Sequence, residues 1–242
     1  MDFVATLESN AQLLLASAKH AGFESPVDYC PGWTVGRLLG HCGKILQRTN
    51  LVLQSNSVEI PGDDEQAKLP RDEALFDEFE RIATTLCQTM RTCDLNAPGW
   101  NFTGANLTNS FWLRRMAHEI EIHRLDMQDA ASMPITPFEP TSAADGIDEL
   151  IFVLMPVLAG NNASDISASF HLHCTDVDGE WLLVVENGVQ SATREHAKGD
   201  VAIRGDASSL YQWAWNRRKA LGDSVEIIGN VDGATKWDAL VP

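Results

Sequence analysis

The sequence is poor in positive charge. Of its 242 residues, 18 are lysine or arginine and 34 are aspartate or glutamate, so the formal net charge is −16. Nucleic acids and anionic membranes are bound through basic patches, and we therefore expect neither as a partner. The sequence also contains no apolar run of bilayer-spanning length and no basic, apolar leader at its start, from which we expect a cytoplasmic protein.

Several motifs are missing as well. The five cysteines form no C-x-x-C pair, which argues against a zinc ribbon or a thioredoxin-type centre and favours reduced thiols. G-x-S-x-G, P-loop and G-x-G-x-x-G motifs do not occur. Their absence excludes the nucleophile elbow of α/β-hydrolases, phosphate binding through a P-loop and a Rossmann dinucleotide site.

The first half of the sequence has apolar residues at helical spacing. We predict four amphipathic helices over residues 3–21, 35–53, 72–90 and 109–131. Thr34 is a suitable N-cap for the second helix. Four helices of this length are typical of an antiparallel bundle.

A segment with three prolines, residues 132–140, predicts an extended linker. We therefore expect two domains, a bundle at 1–135 and a second domain at 141–242. In the second domain an apolar helix is predicted over 143–159. Alternating and β-branched runs then predict strands at 167–174, 181–186, 201–205 and 225–229, with a helix at 207–216. The predicted fold class is α+β.

The fourth predicted helix carries ionisable residues on one stripe. The stripe comprises Trp112, Met116, Glu119, His123 and Asp126. Glu119 and His123 are four residues apart, so their side chains can meet on one helix face. Buried charges need partners, and either a bound cation or an Arg or Lys from another helix would meet that need. The residues alone leave both interpretations open.

A third metal ligand could come from His41, about 80 residues earlier. Three protein ligands and an open position are the arrangement of a catalytic metal site. A single histidine beside an apolar helix face is more often an ordinary core residue, and the spacing alone does not bring His41 to Glu119.

Three other features have competing interpretations. His118 begins an incomplete H-E-x-x-H motif. We interpret it either as a residue behind the ligands, which supports a ligand side chain without binding the metal, or as a surface residue. His171 and His173 share one face of a predicted strand, and with no further ligand nearby we interpret them as a solvated or packed face. The basic residues at 217–219 either favour a helix C-terminus or provide an arginine, Arg217, that binds a substrate carboxylate.

Two segments resemble signatures of a known family. The first is CPGWTV at 30–35 followed by LLGH at 38–41, and the second is the stretch 115–126. With residues 145–149, 201–207 and 215–218, they resemble the mycothiol-dependent maleylpyruvate isomerase family over nearly the whole chain. Two positions depart from the family pattern: Cys42 stands where leucine is expected, and Asn216 where glycine is common.

The resemblance implies a DinB-like four-helix bundle followed by a small domain resembling sterol-carrier proteins. It implies that His41, Glu119 and His123 bind a divalent metal, with zinc the expected ion. It also implies that Arg217 reaches toward the active site. In the mechanism that follows we expect Arg217 to hold a substrate carboxylate and Asp126 to orient a ligand imidazole.

The implied function is activation of a low-molecular-weight thiol, mycothiol, as a metal-bound thiolate that attacks an electrophilic small molecule. The outcome is either isomerisation or S-transfer, and the residues do not separate them. Expected partners are this thiol and the electrophile, with a monomer or small homo-oligomer as the assembly. Two alternatives stay open: a non-catalytic module that binds metal or a small ligand, and a hydrolase that uses metal-bound water.

Overall fold

The computed structural model describes residues 1–158, 166–219 and 221–241. The chain forms two compact units, Met1–Thr136 and Pro137–Pro242. The first is helical and the second contains a mixed sheet, so the predicted α+β class is confirmed. Among the described residues, no helix has both the length and the apolar character needed to cross a membrane.

Four long helices build the first unit. They are α1 (Phe3–Ala21), α2 (Val35–Ser55), α3 (Ala74–Thr92) and α4 (Ser110–Ala130). Helix α1 packs against α3 and α4, and α2 packs against the same two helices. All four contribute to one apolar core, in which Leu7, Leu38 and Phe79 are fully buried. Burial of each such side chain contributes about 1.5–3 kcal/mol.

The segment that leads into α2 is held closely against the start of that helix. Thr34 is the N-cap, as expected, and its side chain accepts a hydrogen bond from the Arg37 amide at 3.3 Å. Pro26 and Thr34 form an antiparallel bridge. A Cβ atom on Gly36 would lie 2.4 Å from the Phe23 ring, so the glycine lets this ring pack directly against the start of α2. These contacts fix the start of the helix that carries His41.

The second unit begins with α5 (Pro140–Glu149), a π-helical turn (Leu150–Leu154) and α6 (Met155–Leu158). These segments cover the helix predicted over 143–159, except that residue 159 lies outside the described residues. The strands and the next helix are β1 (Ala168–Cys174), β2 (Glu180–Glu186), β3 (Val189–Thr193), β4 (Val201–Gly205), α7 (Ala207–Ala214) and β5 (Val225–Gly229).

The sheet has the strand order β3-β2-β1-β4-β5. Strands β1 and β4 pair in parallel, and the other neighbours pair antiparallel. One face packs into the core, where Phe170 meets the ring of Trp237 and Trp213 meets the same indole. The opposite face carries His171 and His173, because side chains alternate along a strand. Strand β3 was not predicted, since its residues are polar or exposed and lack an apolar alternation.

We predict that Thr34→Ala lowers the free energy of unfolding by about 1 kcal/mol, because the amide at the start of α2 loses its acceptor. Thr34→Ser keeps the hydroxyl and serves as the matched control. Urea unfolding of the three proteins measures the difference. Equal stability of the parent and Thr34→Ala would show that the cap does not contribute.

Candidate metal centre

Two helices of the bundle bring together the three residues expected to bind metal. Nε2 of His41, on α2, lies 3.3 Å from Oε1 of Glu119, on α4. Nε2 of His123, one turn further along α4, lies 3.3 Å from the same oxygen. One ligand atom from each residue lies within 4.8 Å of the other two. The fold therefore brings His41 to Glu119, which the spacing in the sequence could not establish.

The donor set fits a divalent metal such as zinc. Bonds of about 2.0–2.2 Å in a tetrahedral site place adjacent ligand atoms about 3.3–3.5 Å apart. The two imidazole nitrogens meet this spacing relative to the carboxylate oxygen. The side chains of Glu119 and His123 are 15% and 12% exposed, and that of His41 is 35% exposed. The group is thus largely enclosed but open on the side of His41.

Arg115 binds the second oxygen of the same carboxylate. Its NH2 group donates to Oε2 of Glu119 at 2.7 Å, and its own side chain is only 4% exposed. The guanidinium neutralises the largely enclosed carboxylate and leaves Oε1 to face the two imidazoles. Sequence reasoning assigned Arg115 no role, although it stands four residues before Glu119, the spacing at which helix side chains meet.

Asp126 holds the other side of the His123 ring. Nδ1 of His123 donates to Oδ2 of Asp126 at 2.9 Å, and Asp126 is fully buried. A proton kept on Nδ1 leaves Nε2 free to coordinate a metal, the arrangement that a carboxylate commonly imposes on a ligand histidine. The geometry is compatible with the orienting role expected for Asp126, and that role stays a prediction.

The charges of the site alter two pKa values in the metal-free protein. Burial acts to raise the pKa of Glu119, but hydrogen bonds from His123 and His41, with the charges of His123 and Arg115, hold it well below its usual range. Burial acts to lower the pKa of His123, but hydrogen bonds to Asp126 and Glu119 and their charges raise it to about 9. His123 is therefore protonated at neutral pH, and a metal must displace that proton.

Aromatic and sulfur groups surround His41, Glu119 and His123. The Trp33 ring meets the edge of His41, with centroids 5.3 Å apart. Cys30 lies 3.9 Å from Asp126 and, with His123 and Asp126, forms an overlapping group of potential ligands. Cys42 is fully buried, and burial, with the charges of Glu119 and Asp126, raises the pKa of its thiol well above the usual value. A thiol in that state is unreactive.

The structure bears on two expectations about histidines. His118 is fully buried and its Nδ1 pairs with Glu121 at 3.0 Å, which excludes the surface position and leaves the alternative of a residue behind the ligands. The expectation that no further ligand lies near His171 and His173 is wrong. Glu180 and His196 join them in a group whose ligand atoms lie within 4.8 Å of one another.

Arg217 belongs to the second unit and follows α7. Its NH1 group donates to the Trp215 carbonyl at 2.7 Å, and its guanidinium lies 5.8 Å from the Trp215 ring. The preceding Asn216 has a φ of 60°, in the left-handed region. Asparagine tolerates this conformation better than most residues, so the backbone at this position does not require glycine. The role of Arg217 toward a substrate stays a prediction.

The chain has known relatives that combine a helical domain with a second domain. A model of the mycothiol maleylpyruvate isomerase N-terminal domain matches residues 4–128, and a model of the C-terminal domain of the same family matches residues 141–234. The chain therefore belongs to the mycothiol maleylpyruvate isomerase family.

Solved structures agree on the fold. A crystal structure of the mycothiol-dependent maleylpyruvate isomerase has a TM-score of 0.57 and 13% identity to this chain. The match covers 93% of this chain and 91% of the isomerase chain. A histidine-to-alanine mutant of that isomerase has a TM-score of 0.52 and 14% identity, covering 91% and 92%. At this identity the likeness supports the fold alone. A comparison with curated sequences gave no match.

We predict that the metal-free protein loses stability as the pH rises from about 6.5 to about 9. The folded-state pKa of His123, about 9, exceeds its ordinary value of 6.5, so protonation stabilises the fold below pH 6.5 and ceases to do so above pH 9. The measurement is urea unfolding across this range in the presence of a chelator.

The matched variant for this test is Asp126→Asn. It removes the carboxylate that favours the charged ring, so the loss of stability across the same pH range should be smaller. Identical pH profiles for the parent and the variant would contradict the coupling of Asp126 to His123.

Proposed function

We propose that this protein is a metal-dependent enzyme that uses mycothiol to transform an electrophilic small molecule. The observation that carries the proposal is the convergence of the His41 and His123 nitrogens on one oxygen of Glu119, each at 3.3 Å. Membership of the mycothiol maleylpyruvate isomerase family supports the thiol as co-substrate. Maleylpyruvate is accordingly the first substrate to test.

His41, Glu119 and His123 would hold the metal, with zinc as the proposed ion. A divalent cation in such a site lowers the pKa of a thiol that binds it, so that thiolate becomes the stable form at neutral pH. Two imidazoles and one carboxylate provide three protein ligands, the number found in catalytic zinc sites that retain a position for an exogenous group.

The surrounding residues prepare these ligands. Arg115 fixes one oxygen of Glu119, and Asp126 keeps the Nδ1 proton on His123, so neither ligand has to reorient for binding. His41 is the most exposed of the three and lies on the side from which a thiol can enter. Trp33 packs edge to face against its ring, with centroids 5.3 Å apart.

Two reactions are compatible with this arrangement. In isomerisation, the thiolate sulfur forms a bond to one carbon of a conjugated cis alkene, and the π electrons move onto the conjugated carbonyl. The remaining single bond rotates, the electrons return, and the thiolate leaves unchanged. In S-transfer the carbon–sulfur bond is kept and the adjacent carbon takes a proton. Mass analysis of product and thiol distinguishes them, since only S-transfer consumes the thiol.

We predict that His41→Ala and Glu119→Gln each retain one metal ion fewer per chain than the parent. Removal of a residue that supports a metal ligand commonly lowers metal affinity or activity about 10–100-fold. Loss of a ligand itself should therefore lower thiol-dependent turnover by about 100-fold or more. Metal analysis of purified proteins and a maleylpyruvate assay with mycothiol measure both effects. The control is His20→Ala, which removes an exposed histidine at the end of α1.

Unchanged metal content in His41→Ala and Glu119→Gln would refute the site. Turnover that persists without any thiol would instead favour the hydrolase that uses bound water. Absence of thiol binding at millimolar concentration would favour a non-catalytic module. Each outcome therefore selects a different function.

We also propose that Arg217 binds the carboxylate of an acidic substrate. A guanidinium engages a carboxylate through two parallel hydrogen bonds, which an ammonium group cannot reproduce. We predict that Arg217→Lys raises the KM for maleylpyruvate about 10-fold, the equivalent of one charge-assisted hydrogen bond, and leaves metal content unchanged. Arg91→Lys, which alters a surface arginine paired with Glu8, is the control. An unchanged KM for Arg217→Lys would contradict this role.

A further inference from the structure

A second group of potential metal ligands lies entirely within the C-terminal unit. His171 and His173 point to the same face of β1, two residues apart. Glu180, the first residue of β2, stands directly opposite His173 in the antiparallel register. His196 comes from the segment between β3 and β4. Sheet pairing and a connecting segment thus bring together residues that are up to 25 positions apart in the sequence.

These four side chains already contact one another. Oε1 of Glu180 accepts hydrogen bonds from Nδ1 of His173 and, at 2.9 Å, from Nδ1 of His196. The His171 and His196 rings meet edge to face, with centroids 5.1 Å apart. One ligand atom from each residue lies within 4.8 Å of the other three.

His171 provides an independent indication of a missing ligand. It is only 7% exposed, and its Nε2 atom is buried without a hydrogen-bond partner among the described residues. Buried polar atoms in proteins are nearly always satisfied, so an unpartnered imidazole nitrogen needs an explanation. A group that binds imidazole nitrogen would provide one.

We propose that His171, His173, Glu180 and His196 form a second divalent-metal site. The donors are three imidazoles and one carboxylate, a set that suits zinc, cobalt, nickel or copper and not magnesium or calcium, which prefer oxygen ligands. Four protein ligands complete a tetrahedral shell, as in structural zinc sites. This site is independent of the bundle and of the reaction proposed for it.

The geometry needs only a small contraction to bind an ion. Tetrahedral bonds of about 2.0–2.2 Å require ligand atoms about 3.3–3.5 Å apart, so a separation of 4.8 Å would have to shorten by about 1.5 Å. The side chain of His196 is 77% exposed and can move by this amount. The bound metal would fasten the segment between β3 and β4 to the centre of the sheet.

The charges around the group favour a cation. Glu180 and His196 line an open cleft of about 1040 Å³, whose walls also include Asp145, Asp178 and Glu195. The one arginine of its lining, Arg194, is paired with Asp148 at 2.6 Å, so the cleft provides an acidic route of entry. Arg204, on β4, stands opposite His173 of β1 in the parallel register, but its guanidinium contacts Glu226 at 3.6 Å. That contact partly neutralises the positive charge of Arg204 beside the proposed site.

The test is a titration of chelator-treated full-length protein with Co²⁺, followed by visible absorption and by metal analysis after dialysis. We expect Glu119→Gln, in which the bundle site is disabled, still to bind one Co²⁺ ion with a tetrahedral spectrum. Combining Glu119→Gln with His196→Ala should abolish that binding or raise its Kd by about 100-fold or more. Zn²⁺ should displace the Co²⁺, and millimolar Mg²⁺ should not.

The matched control combines Glu119→Gln with His20→Ala and should bind like Glu119→Gln alone. Because His196 is exposed, its replacement should preserve the fold, which circular dichroism verifies. Glu119→Gln combined with His173→Ala provides a second test variant. Retention of the ion in the combinations with His196→Ala and with His173→Ala would overturn the proposal, as would failure of Glu119→Gln to bind Co²⁺ at all. A defective bundle site leaves this result unaffected, so the two sites are tested separately.

Discussion

The largely enclosed carboxylate of Glu119 is the group on which the bundle site depends. Removing a carboxylate from water costs several kcal/mol unless charged or hydrogen-bonded partners replace the solvent. Arg115 satisfies one oxygen and the imidazoles of His41 and His123 satisfy the other. Because the two oxygens have different partners, an ion pair and a metal site are compatible here. The arginine supplies the permanent charge, and the oxygen between the imidazoles is available to a cation.

The rest of the bundle keeps these groups in place. Arg115, Glu119 and His123 follow one another at four-residue intervals on α4, so a single helix sets their mutual positions. His41 must be supplied by another helix, and the register of α2 is set by its N-cap at Thr34 and by the close contact of Phe23 with Gly36. Sites built on helices are held more precisely than sites on loops, as metal binding requires.

Residue periodicity was sufficient to predict the four long helices and the stripe that carries Glu119 and His123, because both depend on local spacing. It could not place His41, which is 78 residues from Glu119 and meets it only through packing of α2 on α4. The residues that join His171 and His173 could not be predicted for the same reason. They arrive through the β1–β2 register and a connecting segment, neither of which has a local signature. Arg115, in contrast, was predictable from its distance of four residues to Glu119.

In the proposed function, a metal held by the bundle binds the sulfur of a thiol. The most direct measurement is titration of the cobalt-substituted protein with mycothiol while its near-ultraviolet absorption is recorded. We predict a new sulfur-to-cobalt charge-transfer band that saturates at one thiol per chain and is missing from Glu119→Gln. A cobalt-loaded parent protein whose spectrum stays unchanged at millimolar mycothiol would contradict the claim.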